Sequence, residues 1–181
     1  MGTPCSARGM AVEGENGPCG TISLDLAVKM IEAAEENARI QADQDCDPGC
    51  KCKGTFVPDG PPVCRPDKYP DGTPYHLWIL TGEFQGECVC KGEKAPAIGG
   101  CGGKQFIKAK NLRDFFKEVE KLPELPKDPP KGNCQPYKQN KGHGFSYPVC
   151  AGACTPAGPC KTTVNVTKEL VTLCCDCPPK G

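Results

Sequence analysis

Large apolar side chains are scarce in this chain: 31 of its 181 residues are Leu, Ile, Val or Phe. A level that low excludes a fold held mainly by a thick hydrophobic core. Serine occurs only as Ser6, Ser23 and Ser146, none of them in a G-x-S-x-G elbow, which excludes that class of serine hydrolase. Histidine is limited to His76 and His143, and neither stands at ligand spacing from a cysteine pair. Zinc tetrahedra completed by histidine are therefore not expected. There is no H-E-x-x-H and no Gly-rich phosphate loop. Net charge is also lacking: 22 basic residues balance 22 acidic ones, so no global field favours nucleic acid or an anionic membrane. No apolar run approaches the roughly 20 residues of a membrane span. The segment Met1 to Gly20 has no apolar centre and does not read as a Sec signal. The expectation is a leader already removed, with signal-independent export as the other route.

What the chain does have is cysteine, 16 in all. They are Cys5, Cys19, Cys46, Cys50, Cys52, Cys64, Cys88, Cys90, Cys101, Cys134, Cys150, Cys154, Cys160, Cys174, Cys175 and Cys177. Structural zinc sites show C-x2-C pairs in two blocks, whereas the single C-x2-C here, Cys174 to Cys177, is interrupted by Cys175. An even count with poor zinc spacing predicts complete pairing as disulfides, no metal and no cofactor. Such cross-links belong to an oxidising, extracytoplasmic compartment. Each restricts the unfolded chain, typically by about 2–4 kcal/mol, and several together can replace a missing core. Connectivity stays open, because sixteen cysteines allow about two million pairings. In extended chain Cys50 and Cys52 share a face, as do Cys88 and Cys90, or Cys175 and Cys177. Parallel side chains cannot readily bridge to each other, so each pair is expected to tie one strand to two different segments.

The remaining patterns predict an α+β, disulfide-rich domain with two helices, about 22–44 and 111–122, and a small antiparallel β-sheet. In the first helix Leu24, Ala27, Val28, Ile31, Ala34 and Ala38 form an apolar stripe, with Thr21 or Ser23 as the cap. Because the stripe is alanine-rich and shallow, it should lie close against a sheet or another backbone. The second helix is capped by Asn111 with Asp114 three residues on, and carries Leu112, Phe115, Phe116, Val119 and Leu122. Strands are expected at Tyr75–Thr81 and Glu83–Lys91, separated by a turn or bulge at Gly82. Further strands are expected at Lys104–Lys108, Thr162–Thr167 and Leu170–Cys175. Trp78 reads as core. The 22 glycines and 20 prolines imply much turn and loop. The run Pro-Glu-Leu-Pro-Lys-Asp-Pro-Pro reads as a stiff connector. The organisation expected is thus residues 1–122, a connector at 123–133, and a cysteine-rich β segment at 134–181, or one domain with a long loop.

Two blocks share C-x-C-K-G: Cys50-Lys-Cys-Lys-Gly leading to Cys64, and Cys88-Val-Cys-Lys-Gly leading to Cys101. Each is expected to be a small knot of strand, glycine turn and closing bridge. From Cys46-Asp-Pro-Gly-Cys-Lys-Cys-Lys-Gly to Cys64 the pattern resembles the second half of a trypsin-inhibitor-like cysteine-rich domain. That family holds its protease-binding loop among cysteines just upstream, where this chain has its first helix. No inhibitor residues carry over, and protease inhibition ranks third among the functions expected.

First comes a secreted, non-catalytic binding or interaction protein whose partner is another protein or an extracellular ligand. Pro/Gly loops closed by bridges are preorganised surfaces, and Val57–Pro62, Arg65–Pro74 and Gly142–Tyr147 are the candidate loops. The alternative is a toxin-like exported phosphodiesterase or ribonuclease using His76 and His143 as acid and base, with Lys141 or Lys138 steadying negative charge. The triplet Asn165-Val166-Thr167 makes Asn165 a glycosylation candidate.

Overall fold

A computed structural model describes residues 2–94, 104–128, 134–154 and 158–177, apart from the side chains of 153, 154, 158 and 159. Cys101, the Cys154 side chain and residues 129–133 of the expected connector lie outside that description. The chain divides into two compact units, residues 1–98 with 142–144, and residues 99–141 with 145–181. Both are α+β and disulfide-rich, and strand outweighs helix, so the expectation of a small sheet is corrected.

The first unit contains β1 (Pro4–Asn16), α1 (Leu24–Ala42), β2 (Cys50–Pro58), β3 (Val63–Lys68) and β4 (Pro74–Cys90). The central element is β4, a single strand of 17 residues. One edge pairs antiparallel with β1 over its whole length, from Pro4↔Glu87 to Asn16↔Tyr75. The other edge is shared, β2 taking Gly82–Cys90 and β3 taking Pro74–Ile79. Gly82 is not a turn: it lies in register opposite both Gly9 and Pro58. Its missing Cβ is needed there, since a Cβ would sit 2.3 Å from the Phe56 ring.

Helix α1 starts where Ser23 accepts from the Leu26 amide. It buries Ala27, Val28, Met30, Ile31, Ala34, Ala38 and Ala42 against the sheet face that carries Trp78, Leu80 and Phe84. The expected close approach is present. Gly9 of β1 faces the helix so tightly that a Cβ would lie 2.3 Å from Ala34 O and 2.7 Å from Ala38 Cβ. Small residues on both elements let the two backbones meet, which offsets the shortage of bulky side chains.

Four bridges staple this unit: Cys5–Cys52, Cys19–Cys64, Cys46–Cys88 and Cys50–Cys90. As the parallel side chains require, Cys50 and Cys52 reach different segments, and so do Cys88 and Cys90. Cys64 pairs with Cys19 rather than closing its own block, and Gly54 is an in-strand residue, so the expected self-contained knot is corrected. Instead the two C-x-C pairs lie opposite each other, Cys50 facing Cys90 and Cys52 facing Cys88. Cys5 and Gly54 flank Gly86 on the two sides of β4. The Cys5–Cys52 bond therefore joins the strands on either side of β4, with its Cα atoms 5.9 Å apart. Two flat inter-strand spacings would be about 9.6 Å, so the sheet curls sharply at this point.

The second unit contains β5 (Lys104–Ala109), α2 (Leu112–Glu120), β6 (Gln135–Gln139), β7 (Tyr147–Ala151), the short β8 (Ala153–Cys154) and β9 (Gly158–Pro159), β10 (Lys161–Val166) and β11 (Val171–Asp176). Strand β11 pairs antiparallel with β10 and with β5, while β6 pairs with β7. Asn111 caps α2 by accepting from the Asp114 amide. Phe116 meets Phe145 at 5.3 Å and Phe115 at 5.3 Å in edge-to-face pairs. The start of the Pro-rich run is bonded to β6: the Lys138 amide donates to Pro123 O and the Leu125 amide to Lys138 O. Cys134–Cys160 and Cys150–Cys175 staple the unit, and Cys174 and Cys177 are disulfide-bonded as well.

Candidate functional site

The two expected acid-base residues fall in different settings. His76 is on the helix-covered face of β4, only 5% exposed. Its Nδ1 lies 2.9 Å from Gly17 O and its Nε2 lies 3.1 Å from Glu15 Oε1. Both partners only accept, so both ring nitrogens are satisfied best when protonated. The Gly17 carbonyl, against an opposing burial effect and with help from Glu15, accordingly holds the His76 pKa above the usual histidine value. Trp78 adds its indole, donating to the same Glu15 oxygen at 2.7 Å, and is core as expected. This triad clamps the end of β1 to β4.

His143 is half-buried in the turn where the Gly144 amide donates to Ile22 O, and burial lowers its pKa. Lys141 is exposed. Lys138 is committed within the second unit, donating to Glu120 O at 2.9 Å and lying 3.7 Å from the Glu120 carboxylate. Asn165 is in β10, 8% exposed, with its amide donating to Cys174 Sγ at 3.5 Å.

Two of the nominated loops are partly regular structure. Val57 and Pro58 end β2, and Arg65–Lys68 belong to β3, so only Tyr69–Thr73 of the second is a true turn. Phe145, Ser146 and Tyr147 are buried, which leaves Gly142–Gly144 as the accessible part of the third.

A surface the sequence reading missed lies on the face of the first sheet opposite α1. In register across three strands, Val12 of β1 faces Ile79 of β4, which faces Val63 of β3. Val12 is 45% exposed and Val63 is 65% exposed. Met10 extends the row on one side, at 56% exposure, and half-buried Leu77 and Tyr75 extend it on the other. The Tyr75 ring rests on Tyr69, with centroids 4.5 Å apart.

The rim of this face is polar, and several of its groups are paired with one another. Arg8 is bonded to Asp59 and lies 3.9 Å from the Glu83 carboxylate. Asp67 accepts from the Tyr75 hydroxyl at 3.0 Å, and its pKa is lowered first by the Lys68 amide and then by Tyr75.

The edges flanking this face are blunted. On β1 the outward amides of Ser6 and Met10 donate to Asp45 and Asn37 side chains, at 3.1 and 3.4 Å. On β3, Pro66 has no amide, and the Lys68 amide donates to Asp67 at 2.8 Å. Capped and proline-bearing edges resist strand addition.

No family model, curated protein or solved structure matches this chain. Among the described residues no helix is long and apolar enough to cross a membrane. Two groups of sulfurs, Cys5 with Cys46 and Cys88, and Cys134 with Cys150 and Cys175, lie within 4.8 Å of one another. Every one is bonded to another sulfur, and a disulfide sulfur is not the thiolate a metal takes.

Proposed function

We propose that this is an extracytoplasmic, disulfide-stabilised binding protein without catalytic activity, which engages a folded protein through the open face of β1, β4 and β3. The observation that carries this reading is the row in which exposed Val12 and Val63 flank half-buried Ile79. Isolated exposed apolar residues are ordinary, but a contiguous set rimmed by polar groups marks interaction surfaces. Blunted edges direct recognition to the face rather than to strand addition. The stapled sheet is rigid, so little ordering entropy opposes association. Around the row Arg8 is paired with Asp59 and Glu83, Asp67 accepts from Tyr75, and exposed Arg65, opposite Leu77, offsets the charge of nearby Asp67. The matching partner is therefore an apolar, near-neutral patch on a protein, rather than a polyanion or an anionic membrane. His76, with both ring nitrogens engaged, has none to lend to acid-base chemistry, which counts against the phosphodiesterase alternative.

The test is photo-crosslinking in the native extracytoplasmic fluid. A crosslinking residue at Val63 or Met10 should capture a specific protein, and Val12→Lys should abolish capture while leaving the melting temperature unchanged. Capture from the exposed helix position Lys29 at equal yield, or none from either sheet position, refutes the reading. A second copy of the chain in the adduct would identify the partner as itself.

A further inference from the structure

A second feature, independent of the binding face, is the sulfur ladder between β2 and β4. Cys50 and Cys90 are directly opposed in the antiparallel register. The Cys50 amide donates to Asp47 O and Cys90 O accepts from the Glu93 amide, so neither group serves the ladder. This is a non-hydrogen-bonded position, where opposed Cα atoms come closest, about 4.5 Å. Relaxed disulfides span about 4.4–6.8 Å between Cα atoms. Cys50–Cys90 spans 3.9 Å, whereas the other three bridges of the unit span 5.9, 6.1 and 5.5 Å. A bond held outside its preferred span is more readily reduced.

Access and redundancy point the same way. Both cysteines are half-buried and line a cleft of about 190 Å³, together with Asp45, Asp47, Glu93 and the Cys46–Cys88 bridge. Cys46 is also half-buried, but its bridge has an ordinary span. Cys5, Cys52 and Cys88 are buried. Opening Cys50–Cys90 would release no segment. The β2–β4 ladder continues to Pro58, Cys5–Cys52 still holds β2, and Cys46–Cys88 still holds β4. Exposure alone would favour attack at Cys19–Cys64, since Cys19 is exposed, but that bridge has an ordinary span.

We propose that Cys50–Cys90 is a thiol-exchange site, opened by an external dithiol while the rest of the unit stays folded. One thiolate of the dithiol attacks Sγ of Cys50 or Cys90, the S–S bond breaks, and the departing sulfur leaves as a thiolate that takes up a proton. The second dithiol sulfur then displaces the first cysteine from the mixed disulfide. The dithiol is oxidised to its disulfide, and two electrons and two protons end on Cys50 and Cys90.

The oxidised full chain would be titrated with dithiothreitol at about pH 8, alkylated and peptide-mapped. At the concentration that half-labels Cys50 and Cys90, Cys19 and Cys64 should be labelled at least about tenfold less, with circular dichroism unchanged. Earlier or equal labelling of any other cysteine, or one-step labelling with loss of structure, overturns the proposal. A Cys50→Ala/Cys90→Ala double variant must fold with its remaining bridges formed and show no labelling at that concentration. Failure to fold, or early labelling elsewhere, likewise overturns it.

Discussion

Glu15 holds Trp78 through a 2.7 Å bond from the indole Nε1 to Oε1, and the same oxygen faces His76 Nε2 at 3.1 Å. One carboxylate from β1 thus orients two side chains of β4, and the arrangement carries a pH signature. The folded-state pKa of His76 is raised, so its contribution to stability is complete below the unfolded value of about 6.5. It is lost as pH rises through the folded value. His143 runs oppositely, because burial lowers its pKa: its contribution is complete above about 6.5 and is lost as pH falls toward its folded value. Urea unfolding across this range should show the alkaline-side decline flattened in His76→Gln and retained in His143→Gln.

Gly9 is the closest approach of β1 to α1. Gly9→Val should destabilise the first unit by about 1–3 kcal/mol, since neither the Ala34 carbonyl nor the Ala38 backbone can move aside cheaply. Gly20, with nothing within 4 Å of a built Cβ, is the control. Gly20→Ala should stay within about 0.5 kcal/mol in thermal unfolding.

Asn165 is buried beside Cys174 in β10. Protein secreted from a eukaryotic host should carry no glycan there, and intact mass with and without glycosidase should agree. A glycan at Asn165 on folded protein would show that β10 does not pack as described.

Complete reduction should unfold the chain, in contrast to selective opening of one bridge. Closing long loops typically contributes about 2–4 kcal/mol per unstrained bond, and there is little bulky core to compensate for losing all of them. Circular dichroism of fully reduced, alkylated protein should lose its native signal. A nearly unchanged melting curve would show that the small-residue packing suffices alone.

The helices were legible because their signals are local. Ala27, Val28, Ile31, Ala34 and Ala38 repeat at helical spacing, and Ser23 and Asn111 are caps that act within three residues. The strands at Lys161–Val166 and Val171–Asp176 were legible from their β-branched content. Strand β1 was missed because its buried side is Cys5, Gly9 and Ala11, side chains too small to register as an apolar alternation. Gly82 read as punctuation because sequence cannot reveal a Phe56 ring waiting on a neighbouring strand. The binding face was invisible for a related reason. Val12, Val63 and Ile79 are far apart along the chain, and only the register of three strands makes them neighbours. The bridges were expected as a class, but their partners depend on that same register.

The bond from Cys5 to Cys52 has a consequence for the order of assembly. Those two cysteines come from the strands on either side of β4, yet both precede β4 in the chain. During vectorial synthesis they emerge before Pro74–Cys90 exists to lie between them. Sealed at that moment, the bond would tie β1 to β2 before the strand that lies between them is present. Forming the bond after β4 has paired with both neighbours avoids that order, because β4 then holds Cys5 and Cys52 in register for each other. The sheet is a clasp that must close over its contents.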